Sequence, residues 1–146
     1  AARYGAGPER DARAAAVLLN ADFPRARMAP QPGLESRLHL PDPHDIHVLA
    51  TAIAGGADAI VTFNAADFPR GVLAGEGLDR RDPDGLLWEL ASHHPDTMAA
   101  VAEAVRARAE QLSGEPQPMR ALLKRAKLPR LAKALDRSIA GPSIPL

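Results

Sequence analysis

Four polar side chains in the middle of the chain have the types and spacing to handle a hard cation or a phosphate ester. Asp42 and Asp45 lie three residues apart at what reads as a helix start, and Asn64 and Asp67 lie three apart just past what reads as a short strand. In open parallel sheets, ligands sit outside the carboxyl ends of strands, near helix N-termini. With that helix and strand as consecutive antiparallel neighbours, their acid-bearing ends are expected on one edge of the sheet. Carboxylates gathered there repel one another unless a cation lies between them. A few hard oxygen ligands with water completing the shell describe Mg²⁺ or Mn²⁺. Such a cation activates water and stabilises an anionic phosphoryl transition state. Each residue also has an ordinary structural use. Asp42 is placed as an N-cap, Asp45 is favoured by the helix dipole, Asp67 precedes Phe68-Pro69 as a cap would, and Asn64 is a natural turn residue. His44 and His47 share a helical turn and offer a weaker zinc alternative, with no thiolate in the chain to complete it.

The elements that must hold these residues are marked by proline and glycine. Glu9 to Leu19 is an Ala-rich helical run closed by Pro24, and Leu34 to Leu40 alternates like a short strand. Asp42-Pro43 opens a helix that runs through IHVLATAIA and stops at Gly55-Gly56. Asp58 to Phe63 is too brief for a helix and reads as a buried strand. Asp67-Phe68-Pro69 opens another short helix, ended by Gly75-Glu76-Gly77. Helix, Gly-Gly, strand, polar loop and helix make half of a doubly wound α/β unit. Beyond Pro83 the pattern is helical, over 84–92, 96–112, 119–126 and 130–139, with a GPSIPL tail expected to fray.

A length of 146 residues suits one domain with a small appendage, and 46% hydrophobic with 25% charged residues excludes wholesale disorder. Zero cysteines exclude disulfide scaffolds, thiolate zinc sites and Cys nucleophiles. No apolar run approaches the roughly 20 residues of a membrane span, and no basic-then-apolar leader opens the chain. A cytoplasmic protein with no membrane partner is the expectation. Aromatics are only 3%, so the core must be built from Ala, Leu, Val and Ile, and a stacking platform for bases is not expected. The net charge of zero conceals an asymmetry: residues 105–146 hold nine Arg and Lys against three acids. This basic arm either contacts RNA phosphates, or packs through Leu122, Leu123, Leu128, Leu131 and Leu135 as a helical cap or partner surface with its cations solvated.

The stretch Pro41 to Pro69 (PDPHDIHVLATAIAGGADAIVTFNAADFP) resembles the later half of a PIN domain, the nuclease fold of VapC-type toxins. Asp45 followed by Val48-Leu49-Ala50-Thr51-Ala52 resembles the family's acid-led helix, and Thr62, Asn64, Asp67 and Phe68 its strand end and Asp-Phe pair. The resemblance implies a Rossmann-like parallel sheet flanked by helices. Residues 1–83 would be the C-terminal part of a PIN-like domain and 84–146 a helical extension, basic from about 105. It implies a metal-dependent endoribonuclease, the toxin of a type II toxin–antitoxin pair. Asp45 and Asp67 would be catalytic metal ligands for Mg²⁺ or Mn²⁺, with Asp42, Thr62 and Asn64 in support. An RNA substrate, a cognate antitoxin protein and a homodimer are the implied partners. The family pattern also carries two further acids, on a first strand and the helix after it, which falls before Ala1; Glu9, Asp11 and Asp22 stand in a different context. Without those acids the chain alone is expected to be inactive, and the alternative is a non-catalytic PIN-like module that binds protein or RNA.

Overall fold

A computed structural model describes residues 6–139, and the side chains of residues 13–136. The expected fraying of the GPSIPL tail lies outside the described residues. The chain divides into two compact units, Ala1–Ala57 and Asp58–Leu146.

In the first unit, the Ala-rich run forms helix α1 (Ala6–Asp22), three residues longer at each end than its pattern suggests. The expected strand at Leu34–Leu40 is not formed. Instead Pro32–Glu35 makes a single-turn helix, α2, in which the amides of Leu34 and Glu35 both donate to the Gln31 carbonyl. Leu38 is buried and His39 exposed, so the alternation in burial is real, but no ladder partner accompanies it among the described residues. Pro43–Asp45 form a 3₁₀ turn that leads into α3 (Ile46–Ala54), with Leu49 and Ala50 fully buried. Helix α2 packs on α3. Gly56, at φ +62°, takes the left-handed conformation that ends α3, and the Ala57 amide reaches back to the Ala52 carbonyl at 3.0 Å.

The second unit opens with β1 (Ala59–Val61), α4 (Arg70–Gly75) and β2 (Asp79–Arg81). The strands pair in parallel, with Ala59 opposite Asp79, Ile60 opposite Arg80 and Val61 opposite Arg81. With the helices, this small sheet gives an α/β architecture, and Ile60, Phe68, Leu73 and Leu78 are buried around it. Four helices follow: α5 (Pro83–His93), α6 (Pro95–Ser113), α7 (Met119–Arg125) and α8 (Pro129–Ile139). A proline stands at the first position of α5, α6 and α8, where its missing N–H costs no hydrogen bond. Their shared core is Ala91, Ala102, Leu123, Leu131, Ala132 and Leu135, with Leu128 packed against it. Most of the leucines of the basic arm are therefore internal, as the helical-cap reading expects. Asp84 on α5 is also buried; its carboxylate accepts from the Arg130 and Leu131 amides at the start of α8. Among the described residues no helix is long and apolar enough to cross a membrane.

On α6, Arg106 grips Glu103 through two hydrogen bonds of 2.8 and 2.6 Å and lies 2.5 Å from Glu110. Glu110 also accepts from the Gln117 amide at 3.0 Å. The Arg106 bonds hold the Glu103 carboxyl below its ordinary range; the Gln117 amide, then Arg106, do the same for Glu110. Depressed carboxyl values favour folding above the unfolded-state pKa, and that contribution fades as pH falls through the folded-state value. In a carbon-detected NMR titration both carboxyls are expected to titrate below the usual range. Arg106→Gln should return Glu103 to it while Glu110, still bonded to Gln117, recovers only in part. Unchanged Glu103 titration in the variant would refute this account.

Candidate active site

The acids divide between the two units. In the first, Asp42 is the cap its spacing suggests: extended at φ −101°, its Oδ1 accepts from the His44 amide at 2.9 Å. The Asp45 amide donates to the Asp42 carbonyl at 3.1 Å, so Asp42 fixes the turn that carries Asp45. Asp45 itself sits at the junction of that turn and α3, half-buried, and its side chain makes no capping hydrogen bond. A capping hydrogen bond therefore accounts for Asp42, whereas Asp45, at the N-terminal end of α3, makes none and has only the helix dipole to favour its charge there. The ring of His47 is held by its neighbour, Nδ1 lying 2.7 Å from the His44 carbonyl, an arrangement in which that nitrogen donates. His44 and His47 are both exposed.

In the second unit, the loop after β1 is built by short-range bonds. The Thr62 amide extends the ladder to the Arg81 carbonyl at 3.0 Å, and the Thr62 hydroxyl accepts from the Asn64 amide at 2.9 Å. Asn64 Nδ2 then donates to Asp67 Oδ2. Each link fixes the next: strand end, threonine, asparagine, aspartate. Asp67 is not the cap of α4; that position is Pro69, with no side-chain bond. The cap explanation therefore fails for this carboxylate, which is half-buried and oriented by Asn64 instead.

Arg80 was not marked by the sequence, yet it holds this loop in place. From β2 its Nη1 donates to the carbonyls of Ala65 at 2.6 Å and Phe68 at 3.0 Å, on either side of Asp67. The buried Phe68 ring is the loop's other anchor. The signal that could have found Arg80 is its place in a strand, but Asp79-Arg80-Arg81 carries no apolar residue from which to read one.

Asp45 and Asp67 thus offer half-buried carboxylates that capping does not account for. Hard oxygen donors of this kind fit Mg²⁺ or Mn²⁺ and would suit a softer ion poorly. A family model described as the PIN domain matches residues 3–66. That match supports a PIN domain. The matched segment takes in Asp42, Asp45, Thr62 and Asn64 and ends one residue before Asp67. It also reaches well to the N-terminal side of the Pro41–Pro69 stretch on which the resemblance rests, taking in α1 and α2. No curated protein and no solved structure matches the chain.

Proposed function

We propose that the protein is a metal-dependent endoribonuclease of the PIN class, acting as the toxin of a VapC-type toxin–antitoxin pair. The observation that carries the reading is the PIN-domain match over a segment containing Asp45, whose carboxylate has no capping role. PIN domains are in general metal-dependent nucleases. On this reading Asp45 and Asp67 hold Mg²⁺ or Mn²⁺. The cation, when bound, supplies Lewis acidity that lowers the pKa of water and offsets charge on the phosphoryl group. The chain's own residues do the positioning. Asn64 fixes the rotamer of Asp67, Thr62 fixes Asn64, and Asp42 holds the turn beneath Asp45. RNA is the substrate and water the attacking group, in line with the leaving oxygen. The antitoxin is the protein partner, and the full parallel sheet of the PIN fold is the implied scaffold.

On this reading, and against the expectation of an inactive chain, Asp45 and Asp67 suffice, so a labelled single-stranded RNA incubated with the protein and Mg²⁺ should be cut internally and excess EDTA should stop cleavage completely. Activity that survives EDTA refutes the mechanism. The second reading is a non-catalytic PIN-like module that binds protein or RNA, in which Asp45 and Asp67, without the two further acids of the family pattern, are too few to hold a cation. Retained RNA or protein binding with no cleavage at any Mg²⁺ or Mn²⁺ concentration would establish it.

A further inference from the structure

A groove of about 600 Å³ runs between α5 and α8 in the second unit, separate from the Thr62–Asp67 loop. Its walls are Trp88 and Ala91 on one side and Arg130, Lys133 and Leu135 on the other. Trp88 is the chain's single tryptophan and remains 41% exposed, a large aromatic ring left at the surface. The Arg130 guanidinium stands over it, 4.6 Å from the ring centroid.

Four of the described arginines of this unit are paired with carboxylates. Arg70 is paired with Asp79, Arg81 with Glu89, Arg106 with Glu103 and Glu110, and Arg120 with Asp136. Among the described residues, neither Arg130 nor Lys133 has a carboxylate partner. Two cations with no carboxylate at salt-bridge distance therefore flank an exposed aromatic ring above an apolar floor. An aromatic face and a guanidinium plane are the surfaces on which unpaired bases stack, and an ammonium is a point charge for phosphate. An acidic peptide would satisfy the cations but leave the ring without a matching plane. In duplex RNA the base faces are already stacked and unavailable.

We propose that this groove binds a single-stranded segment of RNA, one base against the Trp88–Arg130 pair and an adjoining phosphate on Lys133. The inference rests on RNA being the substrate and extends the contact surface beyond the acidic residues. Low aromatic content does not prevent this, since one ring is enough for one base.

Because Trp88 is alone, its fluorescence reports directly on the groove. Titration with an oligouridylate of about ten nucleotides, in EDTA so that nothing is cut, should quench Trp88 saturably. By anisotropy of labelled RNA, Trp88→Ala should weaken binding about 5- to 150-fold, the equivalent of about 1–3 kcal/mol for one stacked base. Lys133→Gln should lower the slope of log affinity against log salt by about 0.7. Arg130→Gln with Lys133→Gln keeps the ring and should still weaken binding, which guards against a Trp88 variant that merely misfolds. Absence of quenching, or affinity unchanged in both variants, overturns the proposal. So does equal quenching by oligoglutamate of matched charge, which would make the groove a protein-docking surface. RNA that fills the groove but is never cut with Mg²⁺ defeats the nuclease reading and leaves this one standing; cleavage indifferent to all three residues defeats this one alone.

Discussion

Asp45→Asn and Asp67→Asn should each reduce Mg²⁺-dependent RNA cleavage by about 10²–10³-fold, the equivalent of about 3–4 kcal/mol of lost transition-state stabilisation. Each substitution keeps the size of the side chain and removes one anionic oxygen, so the loss falls on cation binding rather than on packing. The fold should not suffer, because neither carboxylate caps a helix: α3 begins without a bond from Asp45, and α4 begins at Pro69. Asp42→Asn provides the contrast. Asparagine caps a helix about as well as aspartate, so the bond to the His44 amide persists and activity should stay within a few-fold of the parent. Asp42→Ala should instead cost about 1 kcal/mol of stability. Loss of Mn²⁺ binding, followed by the electron paramagnetic resonance of the free ion, should accompany the loss of activity in the Asp45 and Asp67 variants. Full cleavage by either variant would remove that residue from the metal site.

The contrast among these three aspartates also shows what spacing can and cannot reveal. Asp42, Asp45 and Asp67 all precede or enter a helix, and on sequence Asp42 and Asp67 suit capping while Asp45 suits the helix dipole. Only Asp42 caps. The decision is made by backbone geometry, since Asp45 has helical φ and ψ and Asp67 stands two residues ahead of the true N-cap. Element boundaries were more legible, because proline and glycine act within one or two residues of their own position. Gly55-Gly56 and the prolines at 83, 95 and 129 all fall where the sequence puts them. Strand β2 was not legible because a polar tripeptide becomes a strand only by pairing with β1. The alternation of Leu38, His39 and Leu40 misled for the converse reason: in a short segment alternating burial does not require a partner strand, and Pro32-Gly33 starts a helical turn instead.

Asp84 is the residue least visible to sequence reasoning and the one on which the second unit's stability should depend most. It lies 46 residues from the amide of Arg130, too far for any local rule to connect them. Helix α5 does not need it, because Asp82 already caps that helix by accepting from the Gly85 amide at 2.7 Å. Helix α8 does. The residue ahead of Pro129 is Leu128, which has no side-chain oxygen, and the first free donors of α8 are Arg130 and Leu131. Asp84 accepts from both, at 2.9 and 3.0 Å, and places its negative charge at the positive end of the helix. Leu131 is only 3% exposed, so water cannot replace the carboxylate at its amide. Asp84→Ala should therefore destabilise the protein by about 3–5 kcal/mol, since each stranded buried donor costs about 1–3 kcal/mol. That is a large share of a typical domain's stability. Asp84→Asn keeps one accepting oxygen but turns an NH₂ toward the donors, and should cost about 1–2 kcal/mol. Urea unfolding followed by Trp88 fluorescence measures both, because Trp88 stands on α5 with Arg130 of α8 over its ring. A loss below about 1 kcal/mol in the alanine variant would mean that α8 finds other acceptors and that packing, not this carboxylate, seats it on α5.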